Sequence, residues 1–286
     1  MITVLFTYFH IRFQKSHRGH VIMQLATNFI LLQLWHLKKH FKGLKRPIVH
    51  LYAICWNEEK IIPFFLQHYN EFVDHYYIYD NYSDDATDSL LAAQSHVTVR
   101  KYDTRGTIND ITYQTIKNTA WKQSRGKADW VIVCDMDELL YHPEMEHFLT
   151  NNKRYSLFKP TGYNMFSEVF PVSDQKITTT IKAGMRDDTY DKIILFNPYH
   201  IVDINYEPGA HDAYPEGIIN LINDGQLKLL HYKNIGIDYV MNRIYIYRKR
   251  LSTVNKEHGW GSEYNEADRK IIEYIKSSLK QVIQVI

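Results

Sequence analysis

The 286-residue chain has two cysteines, Cys55 and Cys134, and both lie inside apolar runs. So few thiols exclude a disulfide framework; small buried thiols in a reducing compartment are expected, hence a cytoplasmic location. No sign of charge dominates either: 34 basic and 32 acidic residues leave a formal charge of +2. That balance excludes the broad basic field of a nucleic-acid binder. A bilayer-crossing helix needs about 20 consecutive apolar residues, and no such run exists. The best candidate, residues 21–35, is shorter and is interrupted by Gln24, Asn28 and Gln33. No small-residue cleavage site follows it, which argues against a signal peptide. Internal repeats and low-complexity tracts are also missing.

One local absence is sharper. The first 46 residues carry Arg12, Lys15, Arg18, Lys38, Lys39, Lys42, Lys45 and Arg46 but no acid, and the acids begin at Glu58. As a helix, residues 21–35 place Ile22, Leu25, Phe29, Leu32 and Trp35 on one side, between basic flanks. Such a helix suits packing on a domain or peripheral contact with a membrane surface. Residues 1–46 therefore read as a basic, partly helical extension, 47–252 as the main domain, and 253–286 as a helical segment packed on it. With 45% hydrophobic residues the chain can bury a sizeable core.

From Pro47 onward strand-like and helix-like segments alternate, which predicts an α/β domain with a mostly parallel central sheet. "IVHLYAICW" (48–56), "HYYIYD" (75–80), "HVTVRKY" (96–102) and "DWVIVCD" (129–135) are the strands. Asn57 is placed to cap the first helix, with Pro63 near its start. Ile108, Ile111, Thr115, Ile116 and Ala120 are spaced for the apolar face of a longer one. Beyond Glu138, short runs such as "YSLFKP", "ITTTIKAG", "DKIILFNPYHIVDI" and "LKLLHYKN" predict a mixed-sheet extension. Helical stretches at 238–251 and 266–285 close the chain.

Each parallel strand delivers polar residues at its carboxyl end, the edge where open α/β sheets bind ligands. The first ends in Trp56, Asn57 and Glu58, and the second in Asp80, Asn81 and Ser83. The fourth runs into Asp135, Asp137 and Glu138. Carboxylates so close together repel and are costly to desolvate, so a cation must compensate them. A divalent metal bound through oxygen, with a diphosphate completing its shell, is the leading candidate.

Taken in order, "LYAICWNEEKIIPFFLQHY", "YYIYDNYSDDATDSLL" and "VIVCDMDELLY" resemble the catalytic core of GT-A-fold glycosyltransferases, close to the family two set. The resemblance implies a Rossmann-like nucleotide-diphospho-sugar transferase fold with a mixed-sheet extension and C-terminal helices. It implies a nucleotide-sugar site at Trp56, Asn57, Glu58, Asp80, Asn81, Ser83 and Asp135. It also implies Mn²⁺ or Mg²⁺ on the D-x-D acids Asp135 and Asp137, with a late histidine as a further ligand. His231 in "LKLLHYKN" is the first choice for that histidine and His211 the second. Tyr82, where many members have Gly, and Trp56, where Lys or Arg is commoner, depart from the pattern.

The implied reaction moves a sugar from a UDP-type donor to an acceptor hydroxyl of a carbohydrate or glycoconjugate, with inversion. A carboxylate must take the acceptor's proton. Glu168, Asp187, Asp188, Asp212 and Glu216 are in range, with Asp212 preferred and Asp188 next. Two rivals remain: a haloacid-dehalogenase-type phosphatase with Asp135 as nucleophile, and a non-catalytic domain that binds a nucleotide sugar.

Overall fold

The protein is described by a computed structural model covering residues 10–12, 18–172 and 174–286. A long helix, α1 (Arg18–Phe41), leads into β1 (Val49–Cys55), whose seven residues are all buried, as expected of a strand covered on both faces. Then follow α2 (Ile62–Tyr69), β2 (His75–Asp80), α3 (Thr87–Ala92), β3 (Val97–Lys101), α4 (Asp110–Thr119) and β4 (Trp130–Asp135). The four strands pair in parallel in the order β3-β2-β1-β4. Cys55 lies opposite Asp80, Asp80 opposite Lys101, and Ile54 opposite Asp135, so the four carboxyl ends share one edge.

The chain then changes sheet. β5 (Glu138–Tyr141) is separated from β4 by only Met136 and Asp137, and α5 (Met145–Asn151), β6 (Leu157–Phe158), β7 (Thr161–Ser167), β8 (Ala183–Arg186) and β9 (Leu195–Phe196) follow. β10 (Leu221–Ile222), β11 (Lys228–Ile235), α6 (Ile237–Arg250), α7 (Thr253–His258), α8 (Asp268–Ser278) and β12 (Ile283–Gln284) complete it. β9, β6 and β10 extend the central sheet past β4 to seven strands, and only β9 opposes the rest. A second, mixed sheet has the order β12-β8-β7-β11-β5. Met136 and Asp137 thus form the seam between two sheets. A short antiparallel sheet joins His10–Arg12, Glu216–Ile219 and Ile201–Asp203.

Alternate residues of the central strands feed two cores. Leu51, Ala53, Trp130 and Ile132 pack on the α2 side with Phe65 and Tyr69, whereas Tyr52, Val131 and Val133 pack with Trp121 and Phe196. The fold is therefore the expected α/β class, a mostly parallel sheet flanked by helices with a mixed extension.

Four local expectations are corrected. Asn57 caps no helix; it sits in a left-handed turn at φ 53°, and α2 begins after Ile61 without a side-chain cap. On α4 it is Lys117 that is buried while Ile111 is 43% exposed, so the inward face is the polar one. "ITTT" makes one helical turn, Ile177–Thr180, before β8. The final residues return as strand β12 against β8, where Val285 N–H donates to the Lys182 carbonyl.

The face of α1 is corrected as well. Val21, Asn28, Trp35 and Lys39 are its buried residues, and Ile22 and Phe29 point outward. Polar anchors select that face: Trp35 Nε1 donates to Asp129 Oδ1 at 2.9 Å, Lys39 Nζ bonds Asp129 Oδ2, and Asn28 donates to the Tyr199 carbonyl.

Candidate active site

A cavity of about 380 Å³ opens over the carboxyl edge of the parallel strands. β1 brings Trp56 and Glu58 to its wall, the seam brings Asp135, Asp137 and Glu138, and β11 brings His231. α4 contributes Asp110, Tyr113, Gln114 and Lys117, a polar stripe at i, i+3, i+4 and i+7 that shares one helix face.

The seam acids differ in how they are compensated. Asp135 is gripped by Lys117, whose Nζ lies 2.7 Å from Oδ1 and 2.9 Å from Oδ2. Burial disfavours the Lys117 ammonium, but Asp135 and Glu138 outweigh it and raise its pKa. Glu138 accepts from Lys192 Nζ at 2.6 Å through one oxygen and from the Asp135 backbone N–H at 3.1 Å through the other. Burial works against its charge, yet Lys192 and Lys117 hold it below the usual carboxylate range. The required cations are thus, for these two acids, buried lysines.

Asp137 is different. Among the described residues no lysine or arginine bridges its carboxylate, and its Oδ2 faces His231 Nε2 at 3.7 Å. His231 is 4% exposed, and burial drives its pKa well below the ordinary value, so the ring is neutral. Its Nδ1 lies 2.7 Å from Asn164 Oδ1, and Asn164 Nδ2 donates to Asp187 Oδ2 at 2.6 Å. That second bond fixes the amide so that its oxygen faces the imidazole. His231 therefore carries its proton on Nδ1 and presents a bare Nε2. Tyr190 stacks on the ring with centroids 4.0 Å apart and a 26° interplanar angle.

A carboxylate oxygen and an imidazole nitrogen turned toward a common gap fit a divalent cation of the borderline class. The fit is partial, because among the described residues no group of three metal-ligating side chains converges. Two protein donors leave most of the coordination shell to water or substrate oxygen.

Across the cavity Glu58 and Arg243 form a bidentate pair, with both N···O distances 2.9 Å. Burial pushes the Glu58 carboxyl up to about 7, and the guanidinium limits that rise. The hydroxyls of Tyr239 and Tyr247 bracket Arg243. Arg250 lies over the Trp56 ring, 3.1 Å from its centroid. Asp110, bonded by Asn255 Nδ2 at 3.0 Å, is raised above its ordinary value by burial.

Trp56, Glu58, Asp135, Asp137, Glu138, His211 and His231 thus come together at the cavity, and the remaining candidates do not. Asp80 is fully buried beside it, accepting from the Ser83 N–H and hydroxyl, from Lys101 and from the Cys55 thiol. Asn57 exchanges two hydrogen bonds with Asp84, and its N–H donates to Ser83 Oγ; Asn81 does likewise with Thr104. These residues knot the ends of β1, β2 and β3 together. Asp188 and Asp212 are exposed and lie outside the wall, as do Glu168, Asp187 and Glu216. Lys117, Lys192, Arg243 and Asp110 were not anticipated from sequence. Only the stripe on α4 carried a readable signal, a run of polar residues at helical spacing.

No family model matches the sequence, and no curated protein does. Among solved structures, GalNAc-T7 with UDP, GalNAc and Mn²⁺ is similar over 83% of this chain and 58% of its own, at 8% identity and a TM-score of 0.42. A 4-diphosphocytidyl-2C-methyl-D-erythritol synthase is similar over 33% of this chain and 48% of its own, at 17% identity and a TM-score of 0.25. The chain spans about half the length of these proteins.

Proposed function

We propose that the chain is a metal-dependent glycosyltransferase of GT-A type, related to family two, that moves a sugar from a UDP-sugar to an acceptor hydroxyl with inversion. The observation that carries this reading is the Asp137–His231 pair, the one acid of the seam without a lysine facing a neutral imidazole across 3.7 Å. Asp137 and His231 would hold Mn²⁺ or Mg²⁺, which would supply the positive charge that offsets the departing diphosphate. Lys117 and Lys192 pair with Asp135 and Glu138 and hold them in place, so neither acid has to be desolvated uncompensated beside the donor. Trp56 and Glu58 shape the nucleotide end of the cavity. Asn57, Asp80, Asn81 and Ser83 serve it by fixing the strand ends on which those two stand.

The acceptor's proton goes to a carboxylate of the wall. Asp110 and Glu263 are the acids available there besides the seam and Glu58. Burial raises the pKa of Asp110 above its ordinary value, the direction that favours a proton acceptor.

The test is turnover of a panel of nucleotide sugars with and without Mn²⁺. Asp137→Asn should lose at least a hundredfold, on the order of one transition-state charge interaction, while its thermal melt is retained. Asp110→Asn or Glu263→Gln should lose turnover in the same assay, and Asp188→Asn and Asp212→Asn should keep it. Full metal-dependent activity in Asp137→Asn sinks the proposal.

A further inference from the structure

α1 is docked by one side and carries apolar side chains on the other. Its buried side holds it to the domain through Val21, Asn28, Trp35 and Lys39. The opposite side carries Ile22, Met23, Phe29, Ile30, Leu34, Leu37 and Phe41, each between 52% and 79% exposed. At 100° per residue these fall on one stripe facing away from the docked side. Soluble surfaces scatter single apolar side chains, whereas a contiguous stripe marks a contact.

Charge selects the occupant. Residues 1–46 contain no acid, and Lys38, Lys42 and Lys45 stand exposed at the carboxyl end of the stripe. A second copy packed in parallel is disfavoured, because it sets Lys38, Lys42 and Lys45 against their own counterparts with no carboxylate in residues 1–46 to answer them. No helix among the described residues is long and apolar enough to cross a membrane.

We infer that the outer face of α1 is a docking surface for an anionic lipid bilayer. The apolar stripe enters the boundary between headgroups and acyl chains, and Lys42 and Lys45 meet lipid phosphates. The helix needs no folding on contact, since its other face already rests on the domain.

The test is co-sedimentation of the full chain with vesicles of phosphatidylcholine alone or with about one-third phosphatidylglycerol. Wild type should bind the anionic vesicles roughly tenfold or more better, and salt should weaken that binding. Ile30→Asp/Leu34→Asp should abolish it; both positions are more than half exposed, so the variant should melt like wild type. Lys42→Glu/Lys45→Glu, which leaves the apolar stripe intact, should lose the preference for anionic lipid. Undiminished vesicle binding in both variants overturns the inference. So does a wild-type dimer, seen by light scattering, that Ile30→Asp/Leu34→Asp dissociates, because the stripe would then be a self-interface.

Discussion

Asp137 and Asp135 are two residues apart and chemically identical, yet a lysine fixes one and an imidazole confronts the other. The difference comes from partners remote in sequence: Lys117 on α4, Lys192 ahead of β9, and His231 on β11 in register with Glu138. The sequence pattern marked the three acids and His231 as a site, because a hydrophobic strand ending in carboxylates is locally visible. It could not mark Lys117 or Lys192, since a lysine among 34 basic residues is distinguished only by where the fold puts it. Asn164 was equally unreadable, and it supports a prediction. If its amide oxygen fixes the His231 tautomer, Asn164→Leu should weaken Mn²⁺ binding by about tenfold to a hundredfold, the usual range for such supporting partners. Calorimetry without any donor sugar measures it. Nitrogen-15 NMR of the imidazole should show the Nε2-bare tautomer in wild type and its loss in the variant. Unchanged tautomer and affinity would leave Asn164 a packing residue only.

Among elements, the parallel strands are legible in the sequence because burial on both faces leaves a continuous apolar signature in β1 and β4. α4 was read inside out. Its apolar residues looked like a core face, but the cavity claimed the opposite side, where Asp110, Tyr113, Gln114 and Lys117 project. Periodicity reports that a helix has two faces, and it assumes that the polar one meets bulk water. β7 was foreseen only as part of a mixed extension. Its Gly162 is closely covered: an added Cβ would lie 2.4 Å from the Tyr190 backbone carbon. Tyr190 belongs to the short helical turn Asp188–Tyr190 and stacks on His231, so strand and turn position the imidazole together. Gly162→Ala should therefore cost about 2 kcal/mol by overpacking and also loosen Mn²⁺ binding. Gly19→Ala, where an added Cβ meets nothing within 4 Å, is the control that adds a methyl group without overpacking and should lose no stability. Urea titration and metal calorimetry on both variants decide the matter, and an unperturbed Gly162→Ala would refute the coupling.

For the whole molecule, acid sensitivity is built into the core. His50 is 6% exposed in β1, its Nδ1 2.8 Å from Ser124 Oγ, and burial, helped by His75 and Lys127, lowers its pKa to about 4. A histidine that is harder to protonate when folded stabilises fully above its unfolded pKa near 6.5, and loses that contribution as pH falls toward 4. The stability advantage of wild type over His50→Gln should shrink by about 2 kcal/mol between pH 7.5 and pH 5. Glu58 works in the opposite sense, so the comparison with the variant, not the wild-type curve alone, is diagnostic. A constant difference across that range would refute the assignment. α1 has a further consequence for geometry. Trp35 holds Asp129, which immediately precedes β4, and Asp135 closes the same strand. At about 3.3 Å per residue, anchor and chemistry stand roughly 20 Å apart at opposite poles of the sheet. If the proposed transferase is moored by that helix, its cavity lies at the strand ends remote from the anchor. It would glycosylate what arrives from solution, or the far end of a long chain, and not the headgroups beneath it.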